Sequence, residues 1–288
     1  KGGTEGQPAT AAQIQVQLKE GLVAYYPFNG DAKDESGNGN DGEVKGATLS
    51  KDRHNADGKA YTFNGKGNYI EASDSASLRP DYITISGWIY PTMPQPGDVA
   101  IVGKINYANA TGSQYALHLR NLKPFAGIKR YSIGRHTGEG WHKVFSPSSI
   151  PLNQWSHVAK TWDGKILKMY VNGKMNGQNV DAPSGAIDKV VGGNLQIGRW
   201  FSGAPEQHFG GKLDDIRIYD RALSTDEITA LYDLEKPKSS LNEGLVAYYP
   251  FNGNANDESG NNRDGIDFKE TYLTEDRNGL SNNALFFD

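Results

Sequence analysis

The sequence predicts an all-β fold, a sandwich of two antiparallel sheets with one short helix near the C-terminal end of the domain. Two observations indicate this class. Thirty-five glycines divide the chain into short segments rich in β-branched and aromatic residues, which is typical of strands bounded by turns. Between residues 155 and 180, Asp163-Gly164 and Asn172-Gly173 separate three such segments, and these dipeptides favour the two-residue turns of antiparallel hairpins.

The other candidate elements follow in chain order between turn signals. Strands are predicted at 83–90 (ITISGWIY), 114–120 (QYALHLR) and 128–133 (IKRYSI). The segment at 155–180 predicts a three-stranded meander. After it, Ser224 and Glu227 form a capping box, in which a serine at the N-cap precedes a glutamate by three positions. The amphipathic segment ITALYDL comes next, so the box predicts the single helix.

The beginning of the chain is repeated near its end. Residues 20–42 and 243–265 are identical at 19 of 23 positions, at a constant offset of 223. A fixed period predicts a duplicated structural unit, and a copy of about 45 residues is near the size below which a chain does not fold unaided. The expected regions are a linker with an extra strand at 1–19, a full module at 20–236, a linker at 237–242 and an incomplete second module at 243–288.

The extra strand is predicted just before the first module. The segment 13–18 (QIQVQL) alternates polar and apolar residues, which places Ile14, Val16 and Leu18 on one face of a half-buried strand. Two interpretations stay open. The strand adds to the open sheet edge of another chain and so drives assembly, or it forms an edge strand on its own sandwich.

The composition excludes several classes of partner. A formal net charge of −4 provides no basic field for nucleic acid or an anionic membrane. No run approaches the length of about 18 apolar residues that a membrane-spanning helix needs. The chain has no cysteine, which excludes disulfides and thiolate metal sites. Because the chain starts with Lys1 and is rich in Gly, Asn, Thr and Tyr, we expect a processed extracellular or cell-surface protein.

Several segments together resemble a known domain family. They are GLVAYYPFNGDAKDESGNGNDG, FNGKGNYIE, ITISGWIYP, WSHVAKTWDGKILKMYVNGK, LQIGRW and GKLDDIRIYDRALSTDEITALY. In this order they resemble a LamG-like jelly-roll domain of the concanavalin A-like lectin/glucanase superfamily, over residues 20–236. The resemblance implies a jelly roll whose first and last strands lie side by side, often with Ca²⁺ at the rim where the terminal loops meet. It also implies an accessory module of a large secreted or surface protein.

Four aspartates are the candidate calcium ligands. Asp31 and Asp34 lie in a Gly-rich loop, and Asp214 and Asp215 lie in the predicted last strand. Ca²⁺ prefers carboxylate and carbonyl oxygens, which both segments supply. The alternative is that the Asp and Asn residues of the loop only form turns. The resemblance favours calcium, with Asp34 and Asp214 as its main side-chain ligands.

Strand alternation predicts where the last two aspartates point. Asp214 would share a face with Ile216 and Ile218 and so point inward, where it needs a partner: a cation, Arg221 or the backbone. Asp215 would point to the opposite face. Two such carboxylates cannot cooperate as a glycoside hydrolase requires, and no Glu-x-Asp pattern occurs in the chain. We therefore predict a protein that is not an enzyme.

Sugar recognition uses exposed aromatic rings beside polar groups. The candidates in predicted loops are Trp141, His142, Trp200, Tyr107 and Arg135. The alternative is that these rings cover sheet edges or pack beneath a loop.

Two functions outside catalysis follow. The first is an adhesion module of a larger repeat protein that binds a glycan or a surface protein and is stabilised by calcium. The second is a self-assembling subunit of an extracellular filament or coat, which the repeat, the spare strand and the incomplete second module favour. The missing carboxylate pattern disfavours a third, a glycoside hydrolase of this fold. We favour the adhesion module.

Overall fold

A computed structural model shows two units, unit 1 up to Lys236 and unit 2 from Pro237. The described residues are 17–95, 97–106, 112–129, 141–180, 184–200, 207–237, 244–251, 253–266, 271–277 and 279–287. No helix within these ranges is long and apolar enough to cross a membrane.

Unit 1 is a sandwich of two antiparallel sheets, which confirms the predicted fold class. Sheet A contains β1 (Leu22–Tyr26), β3 (Thr48–Ser50), β4 (Ala60–Asn64), β6 (Ile83–Pro91), β11 (Ser156–Trp162), β12 (Leu167–Val171), β13 (Lys174–Asn179) and β15 (Gly210–Tyr219). Their order is β13-β12-β11-β6-β15-β4-β3, with β1 paired to β15. The first and last strands of the module thus lie side by side, as the resemblance implies.

Sheet B contains seven strands in the part of the chain that the structure describes. They are β2 (Glu43–Lys45), β5 (Tyr69–Ala72), β7 (Val99–Asn106), β8 (Gly112–Arg120), β9 (Lys123–Lys129), β10 (Trp141–Phe145) and β14 (Asn194–Ile197). Their order across the sheet is β10-β9-β8-β7-β14-β5-β2. The predicted strand at 128–133 corresponds to the end of β9, and its residues 130–133 lie outside the described residues.

The predicted meander at 155–180 is confirmed as β11, β12 and β13. Its two turns differ. Asn172 and Gly173 both have positive φ, 50° and 75°, as the predicted turn type requires. In the other turn only Gly164 has positive φ, and the Asp163 carboxylate instead accepts the N–H groups of residues 165 and 166, each at 2.8 Å.

The hydrophobic core lies between the two sheets, because apolar residues alternate along the strands. Ile85, Leu117, Ile128, Trp162 and Ile218 are among its fully buried members.

Helix α1 (Thr225–Glu235) covers part of the outer face of sheet A. Its predicted capping box is present, since Ser224 Oγ accepts the N–H of Glu227 at 3.1 Å and Glu227 Oε2 accepts the N–H of Ser224 at 2.7 Å. Ile228 and Leu231 are buried against Tyr219 of β15.

The strand predicted at 13–18 is wrong at its C-terminal end. Gln17 is helical and Leu18 lies in a turn, whereas Ile14 and Val16 lie outside the described residues. Leu18 is buried in the cluster formed by α1 and β15, so burial of its side chain against the helix decides the conformation there.

Unit 2 contains one hairpin among its described residues, β16 (Thr271–Thr274) paired with β17 (Ala284–Phe287).

Candidate functional site

A row of aromatic side chains crosses the outer face of sheet B. The ring of Trp200 lies 4.4 Å from that of His118, which lies 4.5 Å from Phe125, and Phe125 lies 4.7 Å from Phe145, measured between centroids. The last two pairs are stacked, with interplanar angles of 5° and 22°. We call these four residues the aromatic row.

The register of the strands explains why the rings meet. Phe145 pairs with Phe125, and Phe125 pairs with His118, which in turn pairs with Ala100. Directly opposite side chains on one face of antiparallel strands are close neighbours. Ala126 belongs to the core between the sheets, so alternation places Phe125 on the outer face.

Trp200 completes the row from beyond the end of β14. Its ring packs on the small side chains of Ala100 and Ala116. A Cβ at Gly103 would lie 3.1 Å from the ring, so a glycine at this position permits the close approach. Trp200 is only 8% exposed, whereas Phe145, at the other end of the row, is 45% exposed.

Positive charge flanks the exposed end of the row. The Arg120 guanidinium and the Lys143 amine each lie 5.7 Å from the Phe125 ring centroid, within the range of a cation–π contact. Arg120 also pairs with Asp98. Burial, with the charges of Lys160, Lys143 and Arg120, lowers the pKa of His118 well below its ordinary value, so this ring is neutral.

Polar side chains lie beside the Trp200 end of the aromatic row. Arg199 stacks over Tyr69 at 3.4 Å, and its Nε donates to Gln196 Oε1 at 3.1 Å. Gln196 Nε2 donates to Glu71 Oε2, also at 3.1 Å. Gln114, two residues before Ala116, is fully buried, and its amide has no hydrogen-bond partner among the residues that the structure describes. Buried amides are normally hydrogen-bonded, so this one is an unmet polar group.

The structure brings together only part of the predicted sugar-binding set. Trp200 lies in the row. On β10, Lys143 and Phe145 lie on the face of the row, and His142 and Val144 lie on the opposite face. His142 is half-buried there. Trp141 is the first residue of β10, and its side chain lies outside the described residues. Tyr107 and Arg135 also lie outside them.

Sequence reasoning missed His118, Phe125 and Phe145. The available signal was the alternation along QYALHLR, which puts His118 on the face opposite Leu117 and Leu119. The pairing with Phe125 and Phe145 requires the strand register, which the sequence does not reveal.

A separate buried cluster holds the aspartates predicted in the last strand. Arg53 Nη1 lies 2.6 Å from Asp214 Oδ2, and Arg53 Nη2 lies 2.7 Å from Asp215 Oδ2. Arg53 Nε donates to the backbone carbonyl of Glu235 at 2.7 Å. One guanidinium therefore joins the β3–β4 loop, β15 and the end of α1.

The predicted orientation of the two aspartates is wrong. A β-bulge interrupts the pairing of β15 with β6 between Asp214 and Arg217, and Asp215 has a φ of 46°. The bulge turns both carboxylates toward one guanidinium and leaves Ile216 and Ile218 in the core without Asp214. The partner of Asp214 is Arg53. Arg221, the partner named from the sequence, pairs with Glu227 at 2.7 Å.

Arg217 and Glu235 complete this cluster, which we call the Arg–Asp cluster. Arg217 pairs with Glu235, lies 3.6 Å from Asp215 and stacks over the Tyr25 ring at 4.0 Å. Tyr25 Oη donates to Asp215 Oδ1 at 2.6 Å, and Trp88 Nε1 donates to Glu235 Oε2 at 2.8 Å. These polar groups are paired with one another beneath the helix.

Burial sets the protonation of the Arg–Asp cluster. Desolvation, together with the charge of Asp215, raises the pKa of Asp214 to about 8. Desolvation likewise raises the pKa of Glu235 to about 7. Desolvation opposes ionisation of Asp215 as well, but Arg217 and Arg53 hold its pKa below the ordinary value. Three carboxylates face two guanidinium groups, so one negative charge is in excess.

The residues predicted as calcium ligands do not fit an ion. Asp214 and Asp215 face a cation, the Arg53 guanidinium. Asp34 Oδ1 accepts the N–H groups of Tyr25 and Ser36, and its Oδ2 accepts the N–H of Asn40, each at 2.9 Å. The described ranges hold no group of three or more His, Cys, Asp or Glu side chains that could bind a metal.

Asp31 and Asp34 instead have the geometry of turn-forming residues. Asp31 Oδ1 accepts the N–H of Lys33, two residues on, at 3.0 Å. Asp34 accepts the N–H of Ser36 in the same way, and its own N–H donates to Asp41 at 2.9 Å. Both patterns are typical of Asx turns, the alternative that the sequence left open.

Comparison of the chain with known proteins identifies a matching family model and several similar proteins. A family model of the concanavalin A-like lectin/glucanases superfamily matches residues 64–229. Pappalysin-1 of Mus musculus is 21% identical over an alignment of 182 residues that covers 60% of this chain. The matched region is only 11% of the length of pappalysin-1.

Two solved structures share the fold. One is domain 4 of AbnA, a GH43 extracellular arabinanase from Geobacillus stearothermophilus, in complex with arabinotriose. It has a TM-score of 0.55 and 22% identity, and the match covers 73% of this chain and 98% of that one. The other is the botulinum neurotoxin serotype D ligand binding domain in complex with N-acetylneuraminic acid. Its TM-score is 0.57 and its identity 16%, with 77% and 53% of the two chains covered.

Proposed function

This chain belongs to the concanavalin A-like lectin/glucanase superfamily, and we propose that it is a non-catalytic module that binds a glycan on the outer face of sheet B. The observation that carries the proposal is the aromatic row, which ends at an exposed ring beside a lysine. Apolar faces of sugars stack on aromatic rings while their hydroxyl groups take hydrogen bonds from polar neighbours.

The row suits this role because its members differ in exposure. Phe125 and His118 are buried and stacked, so they hold the exposed Phe145 ring in a fixed orientation. A rigid ring loses little conformational entropy when a ligand stacks on it. Lys143, which is exposed two residues before Phe145 on the same face of β10, supplies a donor for hydroxyl or carboxylate oxygens.

Two proteins of the same fold support a saccharide as the ligand. The AbnA domain was solved with arabinotriose and the neurotoxin domain with N-acetylneuraminic acid. An extracellular location is part of the proposal. It agrees with the extracellular arabinanase that contains the AbnA domain and with the composition of this chain.

Catalysis and calcium are not part of the proposal. The carboxylates of Asp214, Asp215 and Glu235 are engaged by arginines beneath α1, away from the aromatic row. A hydrolase needs a carboxylate pair that a substrate can reach. The binding face itself uses rings and a cation, so it requires no metal.

The test is a glycan array followed by calorimetric titration of the best ligand. Phe145→Ala and Lys143→Ala should each weaken binding about tenfold, because each removes one direct contact. Leu49→Ala is the matched control, since Leu49 is similarly exposed, at 43%, on β3 of the other sheet. An array without any ligand, or a ligand whose affinity neither variant changes, would overturn the proposal.

A further inference from the structure

We propose that a cavity beside helix α1 binds a small organic molecule with an apolar body and a single carboxylate. The cavity has a volume of about 440 Å³ and lies among the turn at residues 18–19, β1, β15 and the C-terminal half of α1. Ligand pockets commonly have volumes of roughly 300–1,000 Å³. The site lies on the sheet A side of the sandwich, whereas the aromatic row lies on sheet B, so the inference is independent of glycan binding.

Four leucines form the apolar walls of the cavity. Leu18 and Leu22 contribute from the start of the module, and Leu231 and Leu234 contribute from the helix. Leu18 and Leu231 are 7% and 1% exposed, whereas Leu234 is 45% exposed. Packed side chains therefore close the inner wall, and the cavity opens to solvent near Leu234. These walls favour an apolar ligand body, because contact removes the surfaces of both the body and the leucines from water.

The polar end of the cavity is the guanidinium of Arg217. Its Nη1 donates to Glu235, and the group lies over the Tyr25 ring at 4.0 Å. Its Nη2 is 3.6 Å from Asp215 Oδ1, which is too far for a hydrogen bond. Neither Nη2 nor Nε donates a hydrogen bond to any residue that the structure describes. One edge of this guanidinium is thus unused by the fold.

The unused edge has the shape that recognises a carboxylate. Nε and Nη2 lie on the same side of the planar guanidinium, where they can donate in parallel to both oxygens of one carboxylate. Tyr25 and Glu235 already hold the group in place, so binding would immobilise little of the Arg217 side chain. A ligand carboxylate at this edge would leave its apolar body between the leucines.

The charge of the surrounding groups permits an anion here. Arg217 belongs to the Arg–Asp cluster, in which burial raises the pKa of Asp214 to about 8 and that of Glu235 to about 7. At slightly acidic pH both acids are mostly protonated, so the two guanidinium groups of the cluster face a single ionised carboxylate and the cluster is net positive. Lys19 and Glu35 line the exposed opening with opposite charges, which water screens.

The experiment measures binding of two probes of different shape, octanoate and 1-naphthoate, to the full chain. Isothermal titration calorimetry at slightly acidic pH compares each probe with the alcohol of the same skeleton, 1-octanol or 1-naphthalenemethanol. We expect saturable binding of at least one carboxylate at one site per chain. Its alcohol should bind about tenfold more weakly or less, because a hydroxyl group cannot engage both donors of the guanidinium edge.

Two substitutions locate the probe in the cavity. Arg217→Lys keeps a positive charge beside Glu235 but removes the planar fork, so it should weaken binding of the carboxylate about tenfold and leave binding of the alcohol unchanged. Leu234→Asp adds a negative charge at the opening and should weaken binding of the carboxylate by a similar factor. Because Leu234 is exposed, this second variant tests the site even if Arg217→Lys disturbs the Arg–Asp cluster.

Leu49→Asp is the matched control. Leu49 is exposed to a similar extent, 43%, on β3 and lies outside the lining of the cavity, so the change should leave binding unaltered. The proposal is overturned if neither carboxylate binds, or if the alcohols bind as tightly as the carboxylates. It is also overturned if Leu234→Asp and Leu49→Asp have the same effect, or if a folded Arg217→Lys chain binds the carboxylate as tightly as the unchanged chain.

Discussion

At the residue scale, the Arg–Asp cluster shows how buried carboxylates are accommodated by arginine partners. Asp214 is 2% exposed and would be costly to bury alone. Arg53 offers two donors in a fixed planar fork, and the bulge at Asp215 brings a second carboxylate to the same fork. Because burial raises the pKa of both Asp214 and Glu235, the cluster binds protons near neutral pH.

The first prediction is that stability falls as pH rises through the neutral range. The folded-state pKa values of Asp214 and Glu235, about 8 and 7, lie above their ordinary values of 3.8 and 4.5. At a pH between the ordinary and the folded-state pKa values, the folded state therefore binds more protons than the unfolded state. The free energy of unfolding should decrease with pH, by on the order of 1 kcal/mol per pH unit for each group.

Urea denaturation between pH 5 and 8.5 measures this slope. Asp214→Asn keeps the shape of the side chain but cannot ionise, so it should reduce the slope. A stability that is constant or rises over this interval would contradict the assigned protonation.

At the scale of elements, the same cluster fixes helix α1 to the sandwich. The helix packs Ile228 and Leu231 on the outer face of sheet A, and its C-terminal residue is bonded through the Glu235 side chain to Trp88 and Arg217. The Glu235 carbonyl at the helix terminus accepts from Arg53. An arginine near the last turn also complements the helix dipole.

The second prediction is that Arg53→Ala strongly destabilises unit 1. The change leaves Asp214, Asp215 and the Glu235 carbonyl buried without their cation, and the expected loss is about 3–5 kcal/mol. Chemical denaturation measures the loss. Arg79→Ala is the control, because Arg79 lies 3.6 Å from Asp74 in a more exposed pair and should cost about 0–1 kcal/mol. Equal effects of the two substitutions would show that the cluster is not a special source of stability.

At the scale of the whole molecule, the chain combines a complete sandwich with a second copy of its opening segment. Unit 1 buries its apolar strands on both sides of the core, whereas unit 2 keeps apolar residues such as Val246 and Tyr248 exposed. The proposed glycan site belongs to unit 1.

The third prediction is that calcium does not stabilise the molecule. Arg53 faces the aspartates of β15, and backbone N–H groups occupy the Asp34 carboxylate, so neither site offers free oxygens to an ion. Thermal denaturation with excess EDTA and with millimolar CaCl₂ should give the same midpoint. A calcium-dependent rise in the midpoint would contradict this and restore the metal site that the resemblance implies.

The sequence by itself determined the fold class, the hairpin at Asn172-Gly173, the capping box at Ser224 and the duplicated loop. Each of these depends on local chemistry: positive φ, side-chain capping, or repeated residues at a constant offset. Sequence alternation failed where the chain departs from a regular strand. The bulge at Asp215 reversed the predicted face of Asp214, and burial against α1 left Leu18 in a turn.

Only the tertiary structure decided which distant residues meet. Arg53 reaches Asp214 across 161 positions of sequence, and His118, Phe125 and Phe145 align because three strands pair in one register. Register and sheet order come from packing of the whole sandwich, which no local pattern records. For the same reason the sequence identified Trp200 but not the row to which it belongs.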